Sequence, residues 1–379
     1  MKILSAIDSF KGSFTSKEAN KVVQQALPQH RVETFSIADG GEGTVEAFLE
    51  VLGGTLITET ITGPTGSPIK ASYGWIAEDK TAIIEVAEGA GLTKVDIDRN
   101  PRNYTSYGVG EQMLSALNLG AKELIIGLGG SATVDGGVGL LQSLGVKFFD
   151  AENNLLPMLP VDLEKIQKIS TDKFDNRLSK IKITVACDVE NPLLGPNGAV
   201  YIFGPQKGLR KQELQQQDQN MAHYQQLVNE TTQTTCENFP GAGAAGGIGF
   251  ALYAFLMTSF SSGFQLLADR GNLREKMKQA DLVITGEGKF DSQSLQGKVP
   301  IGISRLAKEY QVPTIVFAGT VADKLVDLPE ENILAVIPIT ESPISLEESI
   351  QKGPELLSRS VKRAFKLIEL NSLQHIDLP

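Results

Sequence analysis

The stretch LVITGEGKFDSQSLQGKVP, residues 282–300, runs an apolar segment into Gly286 and Gly288, where a tight turn is expected at the strand end, and presents Glu287, Lys289, Asp291 and Lys298 close together. Other segments share this design. DSFKGS (8–13) sets Asp8 and Lys11 just past the apolar MKILSAI, and ADGGEGT (38–44) sets Asp39 and Glu42 past VETFSI. GLGGSATVDGGVG (127–139) follows ELIIGL, and ACDVENPLLGPNGA (186–199) follows IKITVAC. Carboxylates hold a hard cation or accept a proton, lysines neutralise anionic oxygens, and glycines let backbone N–H groups approach a ligand. Phosphoryl transfer needs these same parts: cations on the phosphates, a carboxylate-held metal, a group that orients the attacking hydroxyl, and atoms in line.

Composition excludes other classes. The chain has 379 residues, 35 basic against 45 acidic, for a net charge of −10. It therefore carries no electrostatic footprint for nucleic acid, and an anionic substrate needs local positive charge. Cys187 and Cys236 cannot make a disulfide framework, and His30, His223 and His375 stand singly, which sets aside zinc and Cys-His or Ser-His chemistry. The N-terminal apolar run is too short for a signal peptide and nothing approaches the ~20 apolar residues of a membrane span, so a cytoplasmic protein is expected. No Walker A pattern occurs: Gly288-Lys289 precedes Phe290 and Gly297-Lys298 precedes Val299. Gly127 to Ala132 fits G-x-G-x-x-A, with Asp150 beyond it, which keeps a nicotinamide oxidoreductase as the alternative. A non-catalytic sugar-acid sensor is a third reading, disfavoured by the reactive loops.

The elements that must position these residues alternate short β-branched runs with stretches of helical period, the pattern of an α/β chain with buried parallel strands. Residues 55–91 depart from it and read as an antiparallel meander around Gly63-Pro64 and Glu78-Asp79. The runs near 123–128, 181–187, 281–286, 314–319 and 333–338 are expected to share one doubly wound sheet, with helices such as 300–310 as crossovers. A closing helix is expected from Pro354 to about Leu370, with Leu357, Val361, Ala364, Phe365 and Ile368 on one face. GAGAAGGIGF (241–250) reads either as a close-packed helix start or as a backbone cradle. The expected domains are a smaller mixed α+β lobe over 1–95, open to completion by C-terminal segments, and a parallel-sheet domain over 96–379.

DSFKGS, ADGGEGT, GLGGSATVDGG, ACDVENPLLGPNGA, FGPQKG, PGAGAAGG and TGEGKFDSQSLQGKVP, in this order over nearly the full length, resemble the bacterial glycerate kinase family of the glycerate 2-kinase type. The resemblance implies ATP- and Mg2+-dependent phosphorylation of D-glycerate, with 2-phosphoglycerate favoured. It also implies two α/β domains, one a flavodoxin-like Rossmann sheet, with the active site between them; the contrast of the antiparallel section 55–91 with the parallel runs after it predicts a cleft that closes when both substrates bind. The residues proposed for chemistry are Asp188, Lys289 and Asp291; for glycerate, Asp8, Lys11, Ser13, Asp39 and Lys207. For the nucleotide they are Gly129, Gly130, Ser131, Thr133, Asp135, Gly286, Glu287 and Lys298; for magnesium, Asp188, Glu287 and Asp291. Asp39 and Glu42 are alternative carboxylates, and Lys11 and Lys207 alternative partners of the glycerate carboxylate. Tyr107, in TSYGVGE, stands where the family often has arginine. Monomer and homodimer are both compatible with the sequence.

Overall fold

The computed structural model describes the chain except for residues 39, 96–99, 237, 293, 297–298, 323–327 and 371–379. Its strands are β1 (Lys2–Ile7), β2 (Arg31–Thr34), β3 (Thr55–Thr62), β4 (Pro68–Ile76), β5 (Thr81–Glu85), β6 (Glu123–Gly127), β7 (Lys147–Phe149), β8 (Lys168–Ser170), β9 (Lys182–Ala186), β10 (Ser259–Ser261), β11 (Leu282–Phe290), β12 (Thr314–Val321) and β13 (Ile333–Pro338). They form an α/β structure of two compact units, one built from Met1–Ala38 with Leu267–Pro379, the other from Asp39–Leu266.

The first unit holds a five-stranded parallel sheet in the order β13-β12-β11-β1-β2. Renumbered within the unit this is 2-1-3-4-5, the flavodoxin-like order, whose direction reverses between β1 and β11. Both faces are covered, so the inner strands β1, β11 and β12 are buried along most of their length, whereas the edge strands β2 and β13 are more open. Ile315 and Phe317 point into a layer with Leu357, Val361 and Phe365 of the closing helix Gly353–Leu370. Val316 and Ala318, alternating with them, point into a second layer with Ile301 of the helix Val299–Glu309. The helix face expected from sequence is the one buried, with Ala364 and Ile368 packed at its margin.

The second unit holds a six-stranded mixed sheet, β10-β9-β6-β5-β4-β3. The meander forms as expected, β3 to β4 to β5 antiparallel, but β5 then pairs parallel with β6 and continues into β9 and β10. A large core cluster, including Tyr73, Ile84, Ile126, Val185, Tyr224 and Phe250, covers one face of this sheet, and Phe48, Ile83 and Ile125 are buried outside it.

Two expectations are corrected here. The five parallel runs do not share a sheet: β6 and β9 belong to the mixed sheet, and β11, β12 and β13 to the flavodoxin-like one. The units divide at Ala38/Asp39 and Leu266/Leu267, not near residue 95, and the mixed unit is the larger. The cause is pairing remote in sequence: Ile3 lies opposite Leu282, which draws the C-terminal third to the first strand, and the β5–β6 pairing ties the meander to the parallel strands of the same sheet.

Candidate active site

In open α/β sheets ligands collect outside the carboxyl ends of the strands where the strand order reverses. In the flavodoxin-like unit those are the ends of β1 and β11, which carry DSFKGS and TGEGKFD. The two are joined: the Asp8 N–H donates to the Gly286 carbonyl at 2.9 Å, and Gly288 packs against Phe10 and Lys11. The Asp8 carboxylate accepts the Ser9 N–H at 2.7 Å, Lys11 is exposed, and the Ser13 hydroxyl donates to the Ile350 carbonyl.

The glycines of this stretch do not turn the chain. β11 continues through Phe290, with Glu287 opposite Ala318 and Lys289 opposite Thr320. Gly286 is needed for close approach of strands, since a Cβ there would sit 2.1 Å from the Phe317 carbonyl oxygen. The strand pleat, not a turn, sends Glu287 and Lys289 to one face. Asp291, just past the strand end, joins them through an ion pair to Lys289 Nζ at 2.9 Å, and the loop is closed by the Asp291 N–H donating to Ser294 Oγ at 3.0 Å. Glu287 is buried and Lys289 is 69% exposed.

In the mixed unit the ADGGEGT loop lies across the carboxyl ends of β9 and β6. Gly40 packs on Ala186 and accepts the Gly129 N–H at 3.1 Å, and Gly41 packs on Gly129. Beyond them Glu85, ending β5, takes the Val45 N–H at 2.6 Å and so caps the helix Thr44–Leu52, whose own N-cap, Gly43, has no side chain to do it. Burial pushes the Glu85 carboxyl up to about 7 despite that hydrogen bond. Asp188, past β9, is exposed, as is Glu42.

The GLGGSATVDGG loop divides its labour. Gly129 and Gly130 reach the surface, whereas Ser131, Thr133 and Asp135 are buried. The Asp135 carboxylate accepts the Ser106 N–H at 2.9 Å, the Ser106 hydroxyl at 2.6 Å, and the Gly137 and Gly139 N–H groups at 3.1 and 3.2 Å. The segment 241–250 packs its glycines onto this loop, with a Cβ at Gly246 falling 2.0 Å from the Thr133 carbonyl oxygen, and the helix Ile248–Leu256 follows; it is the close-packed helix start. Tyr107 opens the helix Tyr107–Asn118 and is half-buried.

Asp39 and Lys298 lie outside the described residues. Among the described ones Asp8, Lys11, Gly286, Glu287, Lys289 and Asp291 gather in one unit, and Gly129, Gly130, Ser131, Thr133, Asp135, Asp188 and Lys207 belong to the other. Among the described residues no three His, Cys, Asp or Glu side chains cluster as a protein-built metal cage would. Magnesium asks for less, taking one or two carboxylates and completing its shell with water and phosphate oxygens. The hard oxygens of Glu287 and Asp291 fit that demand. Sequence reading missed Glu85 and Ser106. For Glu85 the signal was a lone carboxylate closing the apolar run TAIIE; Ser106 carried no signal of its own.

The dinucleotide fingerprint fails on geometry. No helix opens after Gly127–Ala132, the next beginning at Val138, and Asp150 follows β7, in a separate two-stranded sheet. What the fold and its strand-end loops define is a two-unit α/β enzyme. The model of the family described as Glycerate kinase family matches residues 3–369. The chain is 40% identical to the glycerate 2-kinase of Escherichia coli (strain K12), over 95% of this chain and 96% of that one, and 38% identical to the glycerate kinase of Bacillus subtilis (strain 168), over 98% of each. A solved structure described as glycerate kinase 2 from Salmonella typhimurium LT2 superposes with a TM-score of 0.85 at 36% identity, covering 98% of this chain and 99% of that one. The chain belongs to the glycerate kinase family and is an enzyme, a kinase. No helix among its described residues is long and apolar enough to cross a membrane.

Proposed function

We propose that this enzyme transfers the γ-phosphoryl group of ATP to the 2-hydroxyl of D-glycerate. The carrying observation is the meeting of DSFKGS and TGEGKFD at the strand-order reversal of the flavodoxin-like sheet, with Asp8, Lys11, Glu287, Lys289 and Asp291 on the joined loops. The 40% identity to a glycerate 2-kinase supports the choice of hydroxyl.

The glycerate hydroxyl oxygen attacks the γ-phosphorus, the bond from that phosphorus to the β–γ bridging oxygen breaks, and ADP leaves with the electron pair. The hydroxyl proton passes to a carboxylate, for which Asp291 and Asp188 are the candidates. Lys289 and Lys298 neutralise charge on the transferring group, and the exposed Lys11 ammonium takes the glycerate carboxylate, with Asp8 and Ser13 on the same loop and Asp39 as a further substrate residue. Gly129 and Gly130 present backbone to the nucleotide, whereas Gly286 serves the spacing of β11 and β12. Magnesium, when bound with ATP, offsets the phosphate charge; Glu287 and Asp291 would hold it, with Asp188 as a further ligand.

The test is turnover with ATP, Mg2+ and D-glycerate, the product read by phosphorus NMR. 2-Phosphoglycerate is expected. 3-Phosphoglycerate would move the phosphate to the other hydroxyl, and absence of both would end the glycerate reading.

A further inference from the structure

FGPQKG offers a lysine for the glycerate carboxylate, and the structure commits that lysine elsewhere. Lys207 ends the short turn Pro205–Lys207, with Gly208 following at φ +102°, and its side chain runs inward until only 3% of the residue is exposed. Its Nζ donates to Ser131 Oγ at 2.8 Å and to the Thr133 carbonyl at 2.7 Å, both remote in sequence. Asp135 is the charged group that faces it, and that carboxylate already accepts four hydrogen bonds from Ser106, Gly137 and Gly139. From another side Gly246 presses on the Thr133 carbonyl. The loop is thus held in a buried polar network whose only cation is Lys207 among the described residues that bond to it.

Burial pushes the Lys207 ammonium down to about 7, with Asp135 pulling the other way. A neutral amine has two N–H donors, which matches its two acceptors. Either protonation state fills these bonds, and a buried donor pulled away from such partners costs about 1–3 kcal/mol for each group left unsatisfied. A substrate carboxylate would have to break both bonds to reach Nζ.

We infer that Lys207 is a positioning residue: it clamps Ser131 and Thr133 from beneath, so that Gly129 and Gly130 are held in place for the nucleotide phosphates, and it does not touch glycerate. This rests on the reading above that the 129–135 loop serves the nucleotide.

The test is a double-mutant cycle of Lys207→Met and Ser131→Ala, read by calorimetric titration with ATP plus Mg2+ and by the KM for glycerate at saturating ATP. Each single variant is expected to weaken ATP binding about tenfold, the scale of one hydrogen bond to a charged or buried group, with glycerate KM unchanged. The double variant is expected to be no weaker than the worse single one, since both remove the same clamp. A rise in glycerate KM of tenfold or more in Lys207→Met with ATP binding intact would make Lys207 a substrate ligand and overturn the inference. Additive losses would also overturn it, as would a wild-type protein that binds no ATP. Should Lys207→Met fail to fold, Ser131→Ala alone decides through the same split. A wild type that binds ATP but leaves glycerate unphosphorylated would sink the glycerate assignment while the binding cycle still reads the clamp.

Discussion

Lys289 and Asp291 make an ion pair of 2.9 Å on a side chain that is largely in water. Pairs of this kind contribute about 0–1 kcal/mol to stability, so their removal separates activity from folding. Asp291→Asn and Lys289→Met are expected to keep the melting temperature within a few degrees while kcat falls roughly 10²–10⁴-fold, the usual scale for losing a base, a metal ligand or a charge-stabilising group. Near-normal turnover in both would move the chemistry to Asp188 and Glu42. Glu85 behaves in the opposite way. Its carboxyl is raised from 4.5 to about 7 by burial, so between those values the folded state holds a proton that the unfolded state has released, and stability falls as pH rises through that window. Glu85→Gln keeps an acceptor for the Val45 N–H and removes the titration. Urea unfolding from pH 4.5 to 7 should show the wild type losing about 1.4 kcal/mol per pH unit relative to the variant, and parallel curves would refute the assignment. Asp8, Lys11 and Asp291 were legible in the sequence because charged residues that follow a short apolar run mark a strand end, whereas Lys289 lies inside β11. The burial of Ser131, Thr133 and Asp135 was not, because a small polar residue goes inside only if a partner meets it, and those partners are Lys207 and Ser106, far along the chain.

At the scale of elements, β11 shows why a glycine pair can be misread. Glycine interrupts strands more often than it serves them, so Gly286 and Gly288 looked like a turn. Only the neighbouring strand reveals the reason for Gly286, whose absent side chain makes room for the Phe317 carbonyl. The two glycines should therefore respond differently to a methyl group. Gly286→Ala is expected to cost about 1–3 kcal/mol or more by overpacking against backbone. Gly288→Ala meets nothing nearer than 3.6 Å and should stay within ~0.5 kcal/mol of the wild type in urea unfolding. Equal losses would mean that strand spacing is not what Gly286 provides. The runs themselves, and the face of the closing helix, could be read from periodicity, because burial on one side is a local pattern. Which sheet each run joins could not, since pairing partners lie up to hundreds of residues apart.

At the scale of the molecule, each unit buries apolar residues of its own: Tyr73, Ile126 and Phe250 share a cluster within Asp39–Leu266, and Ile3, Ile284, Phe317 and Phe365 share one in the flavodoxin-like unit. A fragment spanning residues 39–266 is therefore expected to unfold cooperatively in urea with a near-UV circular dichroism signal of packed aromatics; a fragment without either would show that its core is not self-sufficient. The mixed unit can be finished while synthesis is under way. The other cannot, because β1 takes its full place inside the sheet only once β11, 279 residues later, has been made. At roughly 5–20 residues per second that interval is on the order of 15–60 s. For that time the apolar strand Lys2–Ile7 can pair only with β2 along one edge while its other edge stands open, and it is among the last segments to reach its full native pairing.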